Sequence, residues 1–162
     1  MATHVVIGDP HCTPKASNER FLWAGRLAAD VRATHIICMG DFCSMDSLSS
    51  YDKKKKSFEG RRYQKDMEHS HEALSLFNKG LGKFKGRKIM LHGNHEDRID
   101  RFVEDNPELD GTLKISDLKF KDYGWQEIPY KQNKVLNGVY YAHHFPSGIL
   151  GSAISGENIA RT

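Results

Sequence analysis

Side chains that can bind a divalent metal ion follow four short apolar segments of this chain. They are Asp9 with His11, Asp41, Asn94 with His95, and His143 with His144. The apolar segments have the length and composition of buried strands, so these groups would lie where strands end. Carboxylate and imidazole donors together suit manganese, iron or zinc. A pair of such ions about 3.5–4 Å apart can clamp a phosphate and activate water for hydrolysis.

The apolar pattern also predicts the elements that would position these groups. Strands are expected at 4–7, 35–39, 89–91 and 125–130, helices at 19–32, 63–80 and from 97 to about 107, and a hairpin at 134–142. Asn137-Gly138 supplies the two-residue turn of that hairpin. Strands joined by helices favour a parallel sheet, whose carboxyl ends share one edge. The donor groups should therefore converge.

Length and composition indicate an ordinary globular protein. A chain of 162 residues with a net charge of +3 can form one domain, taken here as 1–162, around a single core. Its three cysteines lack CxxC spacing, which favours free thiols in a reducing compartment. The N-terminal apolar run is too short for a signal peptide, and no segment approaches the roughly 20 apolar residues of a membrane span. We expect a cytoplasmic protein without a membrane partner; the oligomeric state stays open.

The segment 42–62 reads as a long basic loop directly after Asp41. Its cations are Lys53, Lys54, Lys55, Lys56, Arg61 and Arg62, and the aromatic residues Tyr51, Phe58 and Tyr63 lie among or beside them. Such a run is usually a solvated face. Beside a metal site, however, it could hold the backbone and bases of a nucleic acid.

The motifs Asp9-Pro-His11, Gly40-Asp41 and Gly93-Asn-His-Glu96, with a later His at a strand end, resemble those of the calcineurin-like metallophosphoesterases. They come in that family's order and span most of the chain. The resemblance implies an α/β fold, a four-layer α/β/β/α sandwich, and a phosphoesterase with two divalent ions. Mn²⁺ is the favoured ion, with Fe and Zn as alternatives.

Roles for individual residues follow from the same resemblance. It implies ligands for a first ion at Asp9 and His11, a bridging carboxylate at Asp41, and ligands for a second ion at Asn94 and His143. His95 would not bind metal but would face the substrate as the catalytic residue, which would donate a proton to the leaving group or stabilise the charged transition state. His144 is the alternative to His143, because a shift of one residue in the strand would exchange them.

One family motif is missing from this chain. The family normally ends with a Gly-His-x-His turn that gives each ion another ligand, and no histidine follows His144 here. The segment 155–162 also looks like the beginning of a helix. We therefore expect that the natural protein continues beyond Thr162, and that the chain as given would bind metal weakly and turn over slowly.

Several functions fit this pattern. The first is a phosphodiesterase, with a nucleic acid as substrate if the basic loop contacts it. A phosphomonoesterase acting on a protein or a small molecule is the nearest alternative. The missing histidines favour a third possibility, a non-catalytic scaffold of the same fold, whereas the retained His95 argues against it. A domain that binds nucleic acid through the basic loop alone would leave the donor groups unexplained.

Overall fold

A parallel sheet of four strands organises the computed structural model, which describes residues 2–143. The elements are β1 (His4–Ile7), α1 (Glu19–Asp30), β2 (His35–Cys38), α2 (Tyr63–Leu81), β3 (Arg87–Leu91), α3 (Arg98–Glu104), β4 (Trp125–Ile128), β5 (Asn133–Leu136) and β6 (Val139–Ala142). The sheet order is β1-β2-β3-β4, and every neighbouring pair is parallel. The strands β5 and β6 form a separate antiparallel hairpin. The predicted α/β class and parallel sheet are confirmed.

The two faces of the sheet pack against different partners because strand side chains alternate. On β2, Ile36 and Cys38 join the larger apolar cluster, which contains the buried faces of the helices. Between them, Ile37 points to the other face and joins a smaller cluster. The central strands β2 and β3 are therefore buried on both faces, which explains their continuous apolar runs, whereas Val6 on the edge strand β1 is 50% exposed.

The hairpin covers the second face of the sheet. Leu136 and Tyr141 of the hairpin pack with Ile37, Ile89 and Ile128. Residues 2–143 thus form three layers, namely helices, parallel sheet and hairpin. The complete four-layer sandwich stays a prediction, because His144 and the helix expected at 155–162 lie outside the described residues.

Most predicted elements are confirmed, with small shifts at their ends. The helix α1 ends at Asp30 and not at residue 32, because Arg32 takes a left-handed φ of 52° that stops a helix. The strand β4 ends at Ile128, before Pro129, which has no N–H to donate to a ladder. The segment 42–62 is a loop that contains two short 3₁₀ turns.

Two glycines let α1 and α2 pack closely on the first face of the sheet. A Cβ atom on Gly25 would collide with the backbone carbonyl of Phe77, and one on Gly80 would collide with the carbonyl of Leu22. Backbone atoms cannot move aside as a flexible side chain can, so the close approach requires glycine at both positions. Within residues 2–143, no helix has the length and apolar character needed to cross a bilayer.

We expect Gly80→Ala to lower the free energy of unfolding by about 1–2 kcal/mol. Overpacking costs about 1–3 kcal/mol, and the better helix propensity of alanine returns at most about 1 kcal/mol. Urea denaturation followed by circular dichroism measures the change. Gly8→Ala is the matched control, since a Cβ there would meet nothing within 4 Å. Equal stability of both variants would contradict the close packing of α1 on α2.

Candidate metal centre

Asp41 lies at the centre of a cluster of imidazoles beyond the carboxyl ends of the strands. One carboxylate oxygen, Oδ2, is 3.8 Å from Nε2 of His11 and 3.8 Å from Nε2 of His95. The other, Oδ1, is 3.5 Å from Nε2 of His143. Each oxygen of Asp41 therefore faces different imidazoles, as a bridging carboxylate would.

His143 connects this centre to the two remaining predicted ligands. Its Nδ1 is 3.6 Å from Oδ1 of Asp9, whose side chain is 58% exposed. Its Nε2 is 3.2 Å from Oδ1 of Asn94. Within residues 2–143, the predicted site residues that follow the strands thus form one connected cluster, namely Asp9, His11, Asp41, Asn94, His95 and His143.

A possible metal-binding triad within this cluster consists of His11, Asp41 and His95. One ligand atom from each residue lies within 4.8 Å of the others. The rings of His11 and His95 are 4.5 Å apart between centroids. The resemblance to the phosphoesterases placed His95 outside the ligand set, whereas its position in the structure suits a ligand equally well.

Backbone carbonyls orient two of the imidazoles. Nδ1 of His95 donates to the carbonyl of Ser44 at 2.8 Å, and Nδ1 of His143 donates to the carbonyl of Met39 at 2.6 Å. Nε2 is then the ring atom that faces Asp41 in both residues. Metal-binding histidines commonly anchor their other nitrogen in this way. Burial lowers the pKa of His95, which favours the neutral imidazole that a metal requires.

The loops that carry His11 and Asp41 run side by side beyond the sheet. The N–H of His11 donates to the carbonyl of Asp41 at 3.0 Å, and the N–H of Cys12 donates to that of Phe42 at 2.7 Å. Both His11 and Asp41 adopt left-handed backbone conformations, with φ of 46° and 48°. Such conformations are uncommon without glycine and concentrate at functional sites.

Two glycines allow the loops to approach the donor side chains. A Cβ on Gly93 would collide with the carboxylate of Asp41. A Cβ on Gly40, whose φ is +103°, would come within 2.5 Å of Nδ1 of His143. Any larger side chain at either position would displace a candidate ligand.

Glu96 is a buried residue beside the candidate site whose contacts the sequence did not reveal. Its side chain is 0% exposed and accepts hydrogen bonds from the N–H groups of Asp41 (3.0 Å), Cys43 (3.0 Å) and Gly93 (2.7 Å). Burial raises its pKa to about 7, and the charge of Asp41 adds to that rise, whereas the N–H groups of Cys43 and Gly93 oppose it by stabilising the carboxylate. In the sequence it is only the last residue of the Gly93-Asn-His-Glu96 motif, and no role was predicted for it.

Arg98 is a second residue whose position only the structure shows. Its guanidinium donates to the carbonyl of Ser44 at 2.8 Å and to Nε2 of His95 at 3.0 Å. The one available signal in the sequence was its spacing of three residues from His95. That spacing by itself does not distinguish an active-site cation from a surface residue.

The cations predicted to bind substrate divide into two groups. The side chain of Arg61 lies inside the loop and is only 9% exposed. It donates hydrogen bonds to the carboxylate of Asp52 at 2.8 Å and to the carbonyl of Asp46 at 3.0 Å. The hydrogen bonds that Arg61 and Lys55 donate to Asp52 lower the pKa of this carboxyl group to about 2. The exposed cations are Lys53, Lys54, Lys55, Lys56 and Arg62. Arg61 therefore holds the loop together, and its role in substrate binding stays a prediction.

We expect Glu96→Ala to destabilise the protein by more than about 3 kcal/mol, since each buried N–H left without an acceptor costs about 1–3 kcal/mol. Glu96→Gln should destabilise the protein less, because the amide oxygen of glutamine can still accept a hydrogen bond from some of these N–H groups. Urea denaturation measures both, with Glu104→Gln on the exposed surface of α3 as the control. Wild-type stability of Glu96→Ala would show that water replaces the carboxylate.

No model of a known protein family matches this chain, and no curated protein matches it either. The resemblance to the metallophosphoesterases therefore rests on the motifs alone. The donor cluster and its surroundings are what support a function for this protein.

Proposed function

We propose that this protein is a metal-dependent phosphoesterase that hydrolyses phosphodiesters. The observation that carries the proposal is the convergence on Asp41 of three imidazole Nε2 atoms from separate loops, at 3.5–3.8 Å. Mixed imidazole and carboxylate donors at one edge of a parallel sheet suit a divalent ion and a ligand bound there.

The donor set fits the metal that the resemblance implies. Nε2 of His143 lies among oxygens of Asp41 and Asn94, a grouping that a bound cation would stabilise. Asp9 and His11 would hold one ion, Asn94 and His143 a second, and Asp41 both. When bound, the ions would neutralise phosphate charge and lower the pKa of a water molecule.

His95 has the proposed role of proton donor to the leaving group. In the hydrolysis a water oxygen bonds to phosphorus, the bond from phosphorus to the leaving oxygen breaks, and that oxygen takes up a proton. Nε2 of His95 is the atom for this transfer, because Nδ1 is held by the carbonyl of Ser44. When the substrate binds, the Arg98 guanidinium would leave Nε2 for a phosphate of the substrate, and the negative charge of that phosphate would favour the protonated imidazole, which then carries on Nε2 the proton it donates. The attacking water would release its proton to solvent, from which the imidazole is protonated again.

The purified protein should hydrolyse bis-p-nitrophenyl phosphate when Mn²⁺ is present. Release of p-nitrophenolate measures the rate, which a chelator should abolish and added Mn²⁺ should restore, because the proposed chemistry needs the ions. Faster turnover of the monoester p-nitrophenyl phosphate would favour the phosphomonoesterase. Folded protein that binds Mn²⁺ in calorimetry but hydrolyses neither ester would contradict the proposal and support a scaffold.

His95→Ala should retain Mn²⁺ binding and lose turnover by at least about 10²-fold, the usual effect of removing a general acid. Calorimetry measures metal binding and the diester assay measures turnover. His35→Ala, at the amino end of β2, is the control for loss of an imidazole far from the cluster. If His95→Ala loses the metal, His95 belongs to the ligand set with His11 and Asp41.

A further inference from the structure

Arg98 is a half-buried cation that contacts no carboxylate directly in the described part of the chain. Its guanidinium donates to two neutral acceptors, the carbonyl of Ser44 and Nε2 of His95. Within residues 2–143 it forms no ion pair, although the charges of Asp46, Asp41 and Asp52 act on it from a distance. A half-buried charge without a direct ionic partner is costly to hold. An arginine in this state is prepared to pair with an anion.

A small cleft opens beside Arg98. Its volume is about 80 Å³, and its lining includes Tyr51, Lys53, Arg98, Arg101 and Phe102. Three of these residues are cations, against the one lining carboxylate of Asp105. The cleft therefore favours an anionic group next to the metal centre.

The cations of the cleft differ in whether they form ion pairs. Arg101 pairs with Asp97 at 3.0 Å and donates to the carbonyl of Asn94, so it supports the metal centre. Lys53 lies with its Nζ 5.2 Å from the centre of the Phe102 ring and, like Arg98, forms no ion pair within the described part of the chain. Lys53 and Arg98 are the two charges that a bound phosphate would satisfy.

Tyr51 adds an exposed aromatic ring at the rim of the cleft. It is 81% exposed, which is unusual for so large a ring. The other aromatic residues of the loop have partners, because Arg61 lies over Phe58 at 5.3 Å and the hydroxyl of Tyr63 donates to Asp117 at 2.8 Å. Tyr51 can therefore stack on a flat ligand without losing an existing contact.

We propose that this cleft binds the nucleotide next to the scissile phosphodiester of a single-stranded nucleic acid, with Lys53 and Arg98 on its phosphate and Tyr51 stacked on its base. The inference rests on the proposed function, and it names the substrate class of that site. Polyphosphate or a phosphopeptide would use the cations and leave the aromatic ring unused. A nucleotide uses both, through charge and stacking.

Binding can be tested without catalysis, in a buffer that contains a chelator to remove metal ions. Fluorescence anisotropy with labelled oligothymidylate and oligouridylate measures the affinity at several salt concentrations. Tyr51→Ala should weaken binding about tenfold, because stacking of one base is lost. Lys53→Ala should make the slope of log K against the logarithm of the salt concentration shallower by about one, because one phosphate contact is lost. The ratio of the two probe affinities separates DNA from RNA as the preferred ligand.

Matched controls are residues that do not line the cleft. Tyr140→Ala removes an aromatic ring that is 64% exposed on the hairpin, and Lys85→Ala removes an exposed lysine before β3; both should bind as wild type does. Equal affinity of Tyr51→Ala and wild type would overturn the proposal, as would equally effective competition by inorganic polyphosphate. The diester assay on the wild type decides the proposed phosphoesterase function separately, because the binding measurement needs neither metal nor turnover.

Discussion

Glu96 accepts hydrogen bonds from the backbone N–H groups of Asp41, Cys43 and Gly93, and this contact joins the loops that follow β2 and β3. A carboxylate with no exposed surface would be costly if it were alone. Three N–H donors offset that cost and in turn have their own hydrogen bonds satisfied. The loops therefore have one low-energy arrangement, and the candidate ligands that they carry depend on it.

The same arrangement holds the Asp41 carboxylate in place before any ion binds. The N–H of His95 donates to Oδ1 of Asp41 at 2.9 Å, and Gly93 leaves just enough room for that carboxylate. The left-handed backbone at Asp41 is stabilised by these contacts on both sides. A donor set held in this way loses little conformational entropy on binding a metal, which is what a catalytic metal centre needs.

Charge around the centre is distributed unevenly. Carboxylates and imidazoles crowd at the strand ends, whereas Lys53 and Arg98 lie to one side in a cleft with the exposed ring of Tyr51. A cationic cleft beside a metal centre provides a second contact for an extended anionic substrate. In contrast, Arg61 stabilises the loop that presents Lys53 and Tyr51, through its contacts with Asp52. One basic segment thus contributes both a structural cation and a candidate binding surface.

The sequence by itself determined the strands, the helices, the Asn137-Gly138 hairpin and the convergence of the donor groups. Local periodicity and turn chemistry, which neighbouring residues specify, predict the strands, helices and hairpin. The convergence of the donor groups then follows, because the carboxyl ends of parallel strands share one edge of the sheet. Only the tertiary structure decided the roles of Glu96, Arg98 and Arg61. Glu96 bonds to residues 55 and 53 positions away, and Arg98 reaches a carbonyl 54 positions away. Such contacts depend on how separate loops pack together, and no local pattern in a single sequence records that packing.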